Sequence, residues 1–274
     1  MNSINWILLA FLSFSGFHSE PDLNQKAEVE TCNFKNIAFD AGEIISYKIY
    51  YNWNFIWLPA GEVVFTVKDK EDLYHLSAKG VTYKSYEWIY KVRDFYDSYI
   101  HKETLLPELS IRDIEEGKYR KYDKTTFHRD KSKAVSLMGK TADNCSEEII
   151  SLEKCTYDVL SSVYVLRNID VDLNSTGYDI PIRVYLDRKI YPLTIRYKGV
   201  DKRKRVKGMG PCETILFEPE LIIGNLFTKD RGMKVWVSND QNRIPLLIES
   251  PVSVGSIKAV LQDYQGLKYP LVVE

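Results

Sequence analysis

The sequence predicts a mainly β protein, built from curved antiparallel sheets in a half-barrel or sandwich-like arrangement, with one principal helix near 156–168. Three observations carry that prediction. The chain of 274 residues holds 19 Tyr, 11 Phe and 5 Trp, and aromatic side chains suit pleated, half-buried surfaces. Stretches with apolar residues at period two recur at intervals of roughly ten residues, the spacing of short strands joined by turns. A convincing helical period runs through Thr156 to Asn168, TYDVLSSVYVLRN.

Composition narrows the function classes. With 45% hydrophobic and 27% charged residues the chain is ordinary globular protein, long enough for one large domain or two small ones. Lys and Arg number 37 against 38 Asp and Glu, for a net charge of -1. Neutralising phosphates takes a net basic surface, so nucleic acid is not expected as a partner.

The elements follow in order. Trp6 to Phe17, WILLAFLSFSGF, is an apolar run. At about a dozen residues it is short for a membrane span and fits the core of a secretory signal peptide. The expected organisation is a signal peptide over 1–19, a flexible leader over 20–40 and a single β-rich domain over 41–274. Two sub-lobes joined near 156–168 are the alternative. The N-terminal MNSIN lacks Lys and Arg, and an apolar tail packed on the domain is the other reading of that run. No transmembrane segment is expected after signal removal.

GEIISYKIYYNW from Gly42 reads as a strand, Phe55 to Pro59 as a turn, and AGEVVFTVKDKEDLYHLSAKGVT as a hairpin tipped by Asp69 to Asp72. Tyr83 to Thr104 reads as strands bent near Arg93-Asp94, with a short helix over Lys84 to Ile89 as the alternative. LSIRDIEE and KYRKYDKTTFHRD flank a tight turn at Glu116-Gly117, a good hairpin signal. KAVSLM is a further strand. In the helix, Thr156 is the expected N-cap and Asp158 lies in the first turn, where the helix dipole favours a carboxylate. Val159, Leu160, Val163, Tyr164 and Leu166 form its apolar face. Strands follow at GYDIPIRVYL, in a long hairpin over 193–218 with a basic tip, and at MKVWVSND, RIPLLIES and SIKAVLQDYQ.

Four Cys follow the leader start: Cys32, Cys145, Cys155 and Cys212. An exported chain can pair them in three ways. Cys145 and Cys155 flank a short segment and form the candidate disulfide, stapling that segment to the helix start; buried free thiols are the alternative. No CxxC or HExxH spacing occurs, so neither a metal nor a cofactor is expected.

Taken together, GEIISYKIYYNW, AGE at 60–62, YKVRDFYDSYI, CTYDVLSSVYVLRNID, IRYKG, GPCETILFEP and MKVWVSNDQNRIPLLIESPVSVGSIKAVL resemble a known family. It is the exported bacterial family called domain of unknown function 3108, in the form common among Bacteroidetes. The resemblance implies a curved, mostly antiparallel β domain in the periplasm or at the outer-membrane periphery of a Gram-negative bacterium. It implies no activity, catalytic residue or cofactor.

Residue chemistry leaves three readings. His75, His101 and His128 lack ligand spacing and fit strand surfaces. GxSxG, GxGxxG and P-loop patterns are missing, and no catalytic residue is assigned. Asp94 and Asp97 beside Arg93, and Glu43 and Glu62, could act as acid and base, but cross-strand ion pairing is the stronger reading. Lys202 to Lys207, KRKRVK, reads as a solvated hairpin tip more readily than as an anionic-lipid patch. Aromatics cluster at 50–57 and 83–90, where they line a groove or fill a core. The candidate binding residues are Trp53, Trp57, Tyr86, Trp88, Arg93 and Asp94, for a lipid, a glycan or an envelope protein. The leading expectation is therefore non-catalytic binding of an apolar or amphiphilic ligand in the cell envelope. An envelope assembly factor working through a protein interface is the alternative, and a hydrolase the second. An apolar cavity near Trp53 or Trp88 favours the first, an exposed aromatic patch the second, and buried, pKa-shifted carboxyls the third.

Overall fold

Period two in the sequence becomes strand almost wherever it occurs. In a computed structural model of the chain, the described residues are 32, 34–53, 56–88, 90–175, 177–220, 232–251 and 255–272. The first eight strands are β1 (Ile44–Trp53), β2 (Ile56–Lys70), β3 (Leu73–Thr82), β4 (Val92–His101), β5 (Pro107–Glu116), β6 (Tyr119–His128), β7 (Lys133–Thr141) and β8 (Asn144–Ser151). Then come β9 (Thr156–Asp158), the helix α1 (Val159–Leu166), β10 (Asp179–Leu186), β11 (Lys189–Val206), β12 (Gly210–Pro219), β13 (Lys234–Ser238), β14 (Pro245–Pro251) and β15 (Ser256–Gln265).

All belong to one sheet, in the order β8-β7-β6-β5-β4-β3-β2-β1-β15-β14-β13-β12-β11-β10-β9. Two meanders fan outward from a central seam where β1 pairs with β15. Pairing is antiparallel except between β9 and β10, which α1 connects as the crossover that parallel neighbours need. Val63, Phe65 and Val67 of β2, Leu76 and Ala78 of β3, and Tyr96 and Ile100 of β4 are buried at alternate positions, so one face of these strands is core. Gly117 turns β5 into β6 at a φ of 58°, a left-handed conformation that glycine adopts at little cost.

The sheet curls until its two wings meet through side chains. Arg129 donates to Pro107 O on β5 and to Thr156 O on β9, at 3.1 and 2.9 Å. Arg112 pairs with Asp187, and Arg188 donates to Ser136 Oγ on β7 at 3.2 Å. Phe127 and Tyr185 meet edge to face at 5.4 Å. α1 sits on the concave side, where Ser98 Oγ of β4 donates to Asp158 at 2.5 Å.

Several expectations are corrected. The helix starts three residues later than Thr156, because Thr156–Asp158 pair with β10 as strand. Asp158 is the N-cap, accepting from Leu160 N and Ser161 N at 2.8 and 3.1 Å. Arg167 follows the last turn and is bound by the buried Glu43 carboxylate at 2.6 and 2.7 Å. The stretch from 83 is a 3-10 turn at Lys84–Tyr86 followed by a strand from Val92, so Arg93 and Asp94 lie within strand, past the bend. Trp57 to Pro59 belong to β2, not to a turn. The supposed leader is docked at its C-terminal end, with Ala38 and Phe39 fully buried. Residues 1–19 lie outside the described residues.

The candidate pair Cys145–Cys155 is replaced by Cys32–Cys155, with Cα atoms 5.0 Å apart and a sequence separation of 123. Cys145 and Cys212 are free thiols. The segment after Cys145 is strand β8, not a loop. An extended run from Cys145 to Ser151 carries the chain about 20 Å, well beyond the ~7 Å a disulfide tolerates between Cα atoms.

Candidate functional site

The convex side of the central seam gathers the aromatic and basic residues. Alternation along β1 turns Tyr50 outward, opposite Lys258 on β15 and, past the extra residue Ala60, opposite Pro59 on β2. Trp57 and Asn52 are opposite one another two residues along. Glu249 of β14 lies between Lys258 and Lys234. Lys258 Nζ is 2.9 Å from Glu249 and 4.3 Å from the Trp57 ring centre.

The β11–β12 hairpin completes this face. Its ladder breaks between Asp201 and Lys204, and beyond the break the arm folds back onto the sheet. Lys204 Nζ stands 3.2 Å above the Trp236 ring and Lys207 Nζ 4.4 Å above Tyr50. Val206 and Cys212 of the arm are buried in the main core. The basic tip is thus a braced arm crossing β13, β14, β15 and β1, while Lys202, Arg203 and Arg205 remain exposed. Each lysine over a ring is worth roughly 0.5–2 kcal/mol, more as it is desolvated. Burial holds the Lys204 ammonium below its ordinary range, which fits a cation pressed onto indole.

The remaining candidates divide by face. Trp53 ends β1, and its side chain lies outside the described residues. Tyr86 is half-buried and Trp88 is 82% exposed, with its indole N–H on Ser85 O at 2.9 Å. Their loop is tied to β2 by Tyr83 N on Ala60 O at 3.0 Å. Burial, then the charge of Glu62, raises the Tyr83 hydroxyl above its ordinary range. Arg93 pairs with Glu87, next to Trp88, and donates to Val92 O at 2.6 Å. Trp57, Tyr86, Trp88 and Arg93 therefore share one end of the sheet, and Asp94 points the other way.

Asp94 belongs to a different constellation. It and Glu116 of β5 are each 0% exposed on the concave side. Asp94 Oδ1 accepts from Glu115 N at 3.1 Å. Its Oδ2 and both Glu116 oxygens meet no donor among the described residues, and the two carboxyls face each other. One shared proton satisfies them. Burial, then the Glu116 charge, pushes Asp94 up to about 10, and burial pushes Glu116 up to about 7. Beside them Arg112 binds Asp123 at 2.6 Å, and Lys121 binds Asp187 at 2.6 Å. The expected Arg93-Asp94-Asp97 group does not assemble, since alternation sends Asp97 outward to His75 Nε2 at 2.6 Å. Glu116 was missed, although alternation along β5 already sets Arg112, Ile114 and Glu116 on one face.

An open cleft of about 530 Å³ lies elsewhere, lined by residues of β5 and β6 with His101, Arg129 and Asp130. His101 is bound by Glu108 at 2.7 Å, and Arg129 is committed to the wing contact already described. Among the described residues no group of three or more His, Cys, Asp or Glu is arranged to hold a metal. None of their helices is long and apolar enough to cross a membrane.

One continuous sheet whose wings meet through side chains defines a β-barrel-like protein. The chain belongs to the family described as protein of unknown function DUF3108, whose model matches residues 46–262. Among solved structures it is similar to a β-barrel-like protein of domain of unknown function DUF1849 from Brucella abortus. That match has 10% identity and a TM-score of 0.55, and covers 86% of this chain and 100% of the other. A protein with a YmcC-like fold from Bacteroides fragilis matches at 10% identity and a TM-score of 0.27, over 85% of this chain and 100% of that one. No curated protein matches the sequence. The first likeness establishes shared fold alone.

Proposed function

We propose that the protein is exported to the bacterial cell envelope and binds an apolar or amphiphilic ligand there without transforming it. The binding surface is the convex face of β13, β14, β15, β1 and β2, with Trp57 among its residues. The observation that carries this reading is the row of three lysines, Lys204, Lys207 and Lys258, each over an aromatic ring on one side of the sheet. Such a surface offers ammonium groups to an acidic headgroup, with the half-buried Trp57 and the exposed Trp88 as its apolar contacts. Export rests on the apolar N-terminal run.

The test is native mass spectrometry and lipid extraction of protein purified gently from the periplasm. An amphiphile should accompany the wild type and be depleted in Trp57→Ala. A clean protein under these conditions overturns the reading. A second reading, an assembly factor with a protein interface, is favoured by the exposure of Trp88 and predicts a co-purifying protein in place of a lipid. The buried carboxyl pair is the feature that would suit a hydrolase, but groups this sealed have no path to a substrate without an opening of the sheet.

A further inference from the structure

We infer that the convex face docks the protein on an anionic membrane surface, with the arm's cations at lipid phosphates and Trp88 at the headgroup level. The inference rests on the reading of this face as a ligand surface and names its partner.

Charge is concentrated here. The chain as a whole carries a net -1, yet residues 202–207 hold five cations and no carboxylate. The arm is braced, so Lys202, Arg203 and Arg205 project from a fixed platform instead of a free loop tip. Holding the cations in place reduces the ordering cost of binding.

An apolar anchor lies along the same strip. Trp88, at 82% exposed, tops the loop beside β2. The strip is continuous: Lys207 covers Tyr50, Tyr50 lies opposite Pro59, and the next residue, Ala60, accepts from Tyr83 N at 3.0 Å, where the loop that carries Trp88 begins. An indole with one polar edge suits the membrane interface.

Geometry favours a surface over a single small anion. The exposed cations and the Trp88 indole are spread along a ridge and do not converge on an enclosure. A planar array of phosphates above an apolar layer meets both at once.

The experiment uses the full exported chain in co-sedimentation with vesicles of phosphatidylcholine alone or mixed with phosphatidylglycerol. Partition should require phosphatidylglycerol and weaken as salt rises. Arg205→Ala and Lys202→Ala should each lower it about fivefold, the equivalent of ~1 kcal/mol per cation at an anionic surface. Trp88→Ala should lower it as well, while all three variants melt like the wild type. Equal binding to neutral vesicles, no binding to anionic ones, or unchanged partition in the arm variants overturns the inference. If vesicles are not bound but a Trp57-dependent amphiphile still co-purifies, the ligand reading stands and the membrane docking alone is wrong.

Discussion

Replacing Asp94 with Asn should make the protein more stable at pH 8 and leave it nearly unchanged at pH 5. Both carboxyls of the Asp94–Glu116 pair are sealed from water, with three oxygens lacking any donor but each other's proton. Their pKa values are raised in the folded state, to about 10 and about 7. A raised acid binds its proton more tightly when folded. The pair is therefore fully accommodated below the ordinary carboxyl range near pH 4, and stability falls as pH climbs through the folded values. For Asp94, the group removed, the span from its ordinary value near 4 up to pH 8 is about four pKa units at ~1.4 kcal/mol each, an upper bound of ~6 kcal/mol. Relaxation and water entry reduce such penalties in real proteins, so a gain of about 1–3 kcal/mol is expected for Asp94→Asn at pH 8. The amide also donates to Glu116 without needing a proton. For a chain of this size that is a melting-temperature rise of about 2–10 °C. Thermal melts of wild type and variant from pH 5 to pH 9 read it directly. The wild-type curve should decline with pH and the variant's should be flatter. Parallel profiles would refute the shared-proton account.

Four other substitutions probe the frame. Glu43→Gln leaves Arg167 buried without its carboxylate, and should cost about 3–5 kcal/mol in urea unfolding. Cys155→Ser, or reduction of the intact chain, removes a bridge spanning 123 residues, and should lower stability by about 3–5 kcal/mol. Cys145→Ser, a free thiol, should change neither stability nor migration on a non-reducing gel. Gly61→Ala puts a Cβ 2.3 Å from Val81 O on the paired strand, and forcing that ladder apart should cost about 1–3 kcal/mol.

Strands and their faces were legible because alternation is a local property. Val63, Phe65 and Val67 announce a buried face without knowledge of what covers it. The family was legible for the same reason, in an ordered set of strand segments. The disulfide was not, because Cys32 and Cys155 meet only after the leader's end docks beside β9, and nothing near either residue encodes that meeting. The helix start was displaced by a competition also invisible locally: Thr156 caps well in isolation, but β10 offers it a ladder. Of the candidate binding residues, Trp57 and Trp88, 31 residues apart in sequence, are brought to one convex end by the strand pairing. Asp94 was grouped with Arg93 and Asp97 by sequence neighbourhood, and the alternation that identified the strand turns Asp94 to the opposite face from the other two. The arm escaped notice because a run of Lys and Arg looks solvated until Trp236 and Tyr50 are known to lie beneath it.

The distribution of polarity across the sheet is the physical ground for looking outside the barrel. On the concave face of β4, β5 and β6 the buried side chains include Asp94, Ser98, Ser110, Arg112, Glu116, Asp123 and Thr125. Those groups are matched to one another and to Asp187 and Tyr185 of the opposite wing. Inserting an apolar molecule there would break ion pairs and strand buried charges, at several kcal/mol per ion. On the convex face the register lines up Trp236, Leu247 and Val260 across three strands, all buried beneath the arm. The arm therefore closes a second apolar layer on the convex face, held by Val206, Cys212 and the lysines over the rings. The arm is then the element to perturb: a variant that unpins it, such as Lys204→Glu over Trp236, should expose Trp236 to water and quench or red-shift its fluorescence while the β-sheet circular dichroism persists. Unchanged Trp emission in that variant would mean the arm is held by Val206 and Cys212 alone, and that the lysines over the rings contribute nothing to its position.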